Sequence, residues 1–112
     1  MKIINEKITI DELKKMAFAT FGNMVKAVVD VDRELIAVDA ELHSDLEALL
    51  LEDGSKQKNI WGLNLYPEIH GEEFVEFDSL INIRPSQGNR SRGVENKEIR
   101  EKIISIVAAR IK

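Results

Sequence analysis

Anion chemistry is concentrated between Ile81 and Gly93. Arg84, Arg90 and Arg92 carry planar guanidinium forks suited to phosphate or carboxylate, and the amides of Gln87 and Asn89 and the hydroxyls of Ser86 and Ser91 stand between them. Gly88 and Gly93 allow backbone amides to turn toward a bound anion. From Ser79 to Val94 there is no Asp, Glu or Lys, in a chain that is 32% charged. The candidate ligand-binding set is Arg84, Gln87, Asn89, Arg90 and Arg92, with Tyr66 as a ring able to stack on a base. A phosphate loop would need a Gly-Lys-Ser/Thr ending that opens a helix, and this stretch has neither. The competing reading pairs Arg84 and Arg90 with Asp39, Glu41, Glu76 or Asp78, which pins the loop down.

Asp39, Glu41 and His43 form a second constellation at alternate positions, with Asp78 across the sheet. Oxygen and imidazole ligands on one face could hold a divalent cation whose bound water attacks a substrate. That is the enzyme alternative, a small metal-assisted hydrolase or transferase. The serines near the arginines have no His neighbour in sequence, so no catalytic residue is assigned. The chain has no cysteine, which excludes disulfides, thiolate metal sites and cysteine nucleophiles.

The elements that position these residues follow from periodicity and caps. Thr9 and Glu12 form a capping-box pair, Leu13, Met16, Ala17 and Phe21 recur at helical spacing, and Gly22 supplies a stop, predicting a helix over about 10–21. Met24 to Val31 and Leu35 to Leu42 alternate and form a hairpin across Asp32-Arg33-Glu34. Ser44 and Glu47 repeat the capping signal before a helix near 45–53. Ile60 to Tyr66 is a strand that Pro67 stops, and Phe74 to Arg84 is the longest strand candidate, with a bulge at Ser79-Leu80. Asn96 caps a last helix near 96–110. Residues 2–4 are an edge strand or a lead-in.

The resulting order is α-β-β-α-β-β-α. It predicts an α+β two-layer sandwich in which helices cover one face of an antiparallel four-stranded sheet. The other face would be open, presenting Asp39, Glu41, Asn64, Glu76, Asp78, Asn82 and Arg84. A length of 112 residues reads as a single domain, 1–112, with enough chain for one core. A net charge of −4 argues against bulk nucleic-acid binding while leaving room for one local basic site. Met1 to Lys7 lacks the apolar segment of a signal peptide, and no apolar run suits a membrane span, so the expected location is the cytoplasm.

Several motifs carry a family likeness. Asp39-Ala40-Glu41-Leu42-His43, Leu46-Glu47-Ala48-Leu49-Leu50, Gly54-Ser55-Lys56-Gln57, Trp61-Gly62, Tyr66-Pro67 and Ile81-Asn82-Ile83-Arg84-Pro85 together resemble a family of small stand-alone prokaryotic proteins classed as a domain of unknown function. The resemblance covers nearly the whole chain and implies no activity and no cofactor. From the residues themselves, the expectation is a binding domain rather than an enzyme. Its partner would be an anionic, phosphate-bearing small molecule, a nucleotide or a short RNA at 84–93, and it would be a monomer or weak homodimer. A protein–protein interaction module is the third reading.

Overall fold

The computed structural model describes residues 1–112. Five strands, not four, form one antiparallel sheet: β1 (Lys2–Ile4), β2 (Val25–Asp30), β3 (Leu35–Val38), β4 (Ile60–Leu65) and β5 (Val75–Glu76). Their spatial order is β1-β3-β2-β4-β5. Three helices accompany them, α1 (Ile10–Ala19), α2 (His43–Glu52) and α3 (Lys97–Arg110). The α+β class holds, and the element order gains a leading strand.

Local chemistry sets the helix boundaries. The Glu12 amide donates to Thr9 Oγ1 at 3.1 Å. Gly22, at φ +92, lets its amide reach back to the Ala17 carbonyl at 2.6 Å. The Ile99 amide donates to Asn96 Oδ1 at 3.0 Å at the start of α3. α2 departs from expectation: it starts at His43, and Leu42 precedes it with no side-chain cap.

The helices do not share one face. α1 and α3 pack with Val25, Ala27, Val29, Ile36, Val38, Trp61, Leu63 and Leu65 in the larger core. α2 lies on the opposite side, where Leu46 and Leu50 meet Val28, Ala37 and Ile60. Both sheet faces are therefore covered, and the expected open face does not exist. Its cause is visible in β2 and β3, where Val28-Val29 and Leu35-Ile36-Ala37-Val38 are buried without alternation. Asp39, at φ +73, turns the chain out of β3 before α2 begins.

The long strand expected over 74–84 is two residues long. After β5 the chain leaves the sheet, and Leu80–Asn82 and Pro85–Gln87 form short 3-10 turns. Ser79 Oγ accepts the Ile81 amide at 3.3 Å, which favours the turn over extension. Gly62 permits this crossing, since a Cβ there would lie 2.6 Å from the side chain of Ser79. No helix is long and apolar enough to cross a membrane.

Candidate functional site: the 79–95 loop and its neighbours

Asn82 is the hub of the loop. It is wholly buried, and its amide does what a neighbouring strand would do for β4. Its Oδ1 accepts the Gly62 amide at 2.8 Å, while Nδ2 donates to the Gly62 carbonyl at 2.9 Å and to the Arg92 carbonyl at 2.9 Å. Asn89, also buried, is the second hub: its Nδ2 donates to the carbonyls of Asn82, at 2.7 Å, and Gly93, at 2.8 Å. Two asparagines expected to face outward, or to touch a ligand, hold the loop together instead.

The three arginines separate into different roles. Arg84 is half-buried and stacks on Trp61, 4.0 Å from the ring centroid. Its guanidinium donates to the Gln57 carbonyl and, at 2.7 Å, to the Ile60 carbonyl. Burial pulls its pKa down, against a smaller opposing pull from Glu47. Arg84 is thus a strut, but its partners are backbone carbonyls and an indole, not the carboxylates of a sheet face. Arg92 Nε pairs with Asp78 Oδ1 at 2.5 Å in an exposed ion pair. Arg90 has no ion-pair partner and projects from the surface. Its competing pairing with Asp39, Glu41, Glu76 or Asp78 is absent.

Gln87 Nε2 donates to the Lys58 carbonyl at 3.1 Å. With Arg84 on Gln57, this fastens the loop to the 54–67 segment, which also contains no Asp or Glu. Lys56, Lys58 and Arg90 are exposed on these two joined segments, and none of the five ion pairs in the protein involves them. The sequence contains both acid-free stretches, but only the hydrogen bonds between them show that they meet.

Tyr66 bonds to a carboxylate and to none of the arginines. Its hydroxyl donates to Glu76 Oε1 at 2.9 Å, and Asn64 Nδ2 donates to the same oxygen at 2.8 Å. Burial, then the bond to Glu76, pushes the phenol pKa up. His43 is buried nearby, with Nε2 2.9 Å from the Leu63 carbonyl. A carbonyl can only accept, so Nε2 carries the proton and Nδ1 is bare. Burial dominates and lowers the His43 pKa, so the ring is neutral. Asp39 and Glu41 sit in the turn before α2, and no three His, Asp or Glu side chains gather as a metal-binding group. α2 covers the face on which these acids were expected to lie open.

A separate open groove of about 1010 Å³ runs between α3 and residues 69–77, with Phe74, Phe77 and Ile104 in its lining. Glu72 and Glu101 line it alongside Lys97 and Arg100, so its charge selects no partner.

A family model described as "Protein of unknown function (DUF5674)" matches residues 2–110. The chain belongs to that family. No curated protein and no solved structure matches it. Membership in DUF5674 spans both acid-free stretches.

Proposed function

We propose that this DUF5674 chain is a non-catalytic binding domain for a small phosphate-bearing ligand, held at the edge formed by residues 56–58 and 86–92. The observation that carries the reading is the joining of two acid-free segments, which leaves Lys56, Lys58 and Arg90 unpaired in a chain of net charge −4. Unpaired cations beside exposed hydroxyls and amides are the groups that phosphate recognition uses. A single-stranded nucleic acid fits less well, because such strands rely on exposed aromatic platforms. Residues 79–94 contain no aromatic, Trp61 is buried, and Tyr66 is bonded to Glu76.

The test is an amide-resonance titration of the full chain with inorganic phosphate, a nucleoside monophosphate and a short single-stranded RNA. Saturable shifts confined to 56–58 and 86–92, lost in a folded Lys56→Ala, Lys58→Ala, Arg90→Ala variant, are expected for the first two ligands. Folded protein that shows no shift at millimolar phosphate or nucleotide refutes the reading. Tighter binding of RNA, with a log–log salt slope near −2 for about three phosphates, would replace it with a nucleic-acid function.

A further inference from the structure

Two successive backbone amides in the loop already hold an anion, and it is the chain's own. The amides of Arg90 and Ser91 donate to Glu95 Oε2 at 2.6 and 2.9 Å. Converging adjacent amides make a small concavity of positive potential that suits one anionic oxygen. The Glu95 carboxyl is fully exposed, yet its pKa is held below the ordinary range, first by the Arg90 amide and then by that of Ser91.

We propose that the Arg90 and Ser91 amides form a phosphate-monoester subsite which Glu95 occupies as a tethered competitor, so that ligand binds by displacing it. This rests on the phosphate-binding reading above and adds to it the subsite, the ligand class and the control.

Three features support displacement over a purely structural bond. Glu95 is anchored by its main chain, whose amide donates to Asn89 Oδ1 at 2.8 Å, so its side chain can swing away while the loop stays closed. The carboxylate stands in water, so releasing it buries no unpaired charge. The Arg90 guanidinium forms no close ion pair, and its charge adds only a smaller pull on Glu95 than the two amides do. Ligand class follows from valence. A carboxylate ligand would exchange like for like with Glu95. A phosphate monoester carries about −1.5 to −2 charge and three acceptor oxygens. One oxygen can take both amides and another can take the Arg90 fork.

A tethered competitor lowers apparent affinity by the fraction of time the subsite is open. Removing it should tighten phosphate binding at least about tenfold, as when a competent state rises from about a tenth of the population to nearly all of it. The experiment titrates inorganic phosphate, with acetate as the comparison anion, into the unaltered chain, Glu95→Gln and Glu98→Gln. Glu98 lies in the first turn of α3 and does not touch the two amides, so its variant controls for a bare change of charge.

The expected result has two parts. In the unaltered chain, phosphate saturation moves the Glu95 side-chain carboxyl resonance to the value of a free glutamate. In Glu95→Gln, phosphate binds at least about tenfold tighter, with shifts at Arg90 and Ser91, while Glu98→Gln changes little and acetate gains less. Equal phosphate affinity in all three proteins, with shifts at 56–58 and an unmoved Glu95 carboxyl, overturns the competitor and leaves the basic edge as the binding site. No shift in any of them overturns both. If Glu95→Gln fails to fold, the carboxyl resonance in the unaltered chain decides alone.

Discussion

Replacing Asn82 by alanine removes an amide that stands in for a strand. Two backbone groups then lose their partner, the Gly62 amide and the Gly62 carbonyl, while the Arg92 carbonyl keeps the Ser79 amide at 2.9 Å. A buried group left unsatisfied costs about 1–3 kcal/mol, and water entering the space left by the truncated side chain recovers part of it, so for two such groups we expect a total loss of about 2–4 kcal/mol. Set against a typical domain stability of about 5–15 kcal/mol, that is a large fraction. Urea unfolding followed by circular dichroism and Trp61 fluorescence measures it. Asn82→Asp is the informative companion, since it keeps the acceptor for the Gly62 amide but sets a carboxylate against two carbonyls. The introduced carboxyl has a raised folded pKa, so the variant should lose stability as pH rises above about 4, the unfolded value. A loss below about 1 kcal/mol in Asn82→Ala, with an unchanged denaturant slope, would show that the amide does not substitute for a strand.

Other outcomes follow from the same geometry. Arg84→Ala should cost about 1.5–3 kcal/mol and alter Trp61 emission, because two carbonyl bonds and the indole stack are lost. Arg92→Ala should cost under about 1 kcal/mol as an exposed pair. Equal urea midpoints for the two variants would refute that division. Gly62→Ala should destabilise by about 1–3 kcal/mol through the clash with Ser79, and Ser79→Gly should restore most of the loss in a double-mutant cycle. For His43, the lowered folded pKa means that stability is present above the unfolded value of about 6.5 and is lost as pH falls below it. Urea melts at about pH 7.5 and about 5.5 should show that loss, and it should shrink in His43→Asn; an undiminished loss would place the titration elsewhere.

The helices and the β2–β3 hairpin were legible because each carries a local signal. Thr9, Gly22 and Asn96 mark ends through their own hydrogen bonds or backbone angles, which need no tertiary context. The layer arrangement was not legible from the caps, although the unbroken apolar run Leu35-Ile36-Ala37-Val38 was a sign of burial on two faces. Ile81-Asn82-Ile83-Arg84 misled for a definite reason. Period two is the mark of a strand, yet here the same spacing sits on a 3-10 turn, with the polar Asn82 inside and Ile83 partly exposed. Side-chain amides that replace a strand leave no periodic trace. At the candidate site, the lack of carboxylates within the loop was plain in the sequence, but the arrival of Asp78 and Glu95 from either side of it was not. Glu95 was missed as a partner because it lies one residue beyond the acid-free stretch and reaches back to it.

The way β4 is closed on its outer side bears on how the protein avoids self-association. β4 reads Ile-Trp-Gly-Leu-Asn-Leu, an uncharged and proline-free run of the kind that stacks into cross-β aggregates once its edge is bare. β5 shields only Asn64 and Leu65, and the Asn82 amide shields Gly62. Beyond the opposite end of the sheet, β1 offers just three residues, one of them Lys2, to a passing strand. The 79–92 loop is therefore a gatekeeper, and whatever loosens it (loss of Asn82, of Arg84 or of the Gly62 crossing) should be felt first as precipitation during folding.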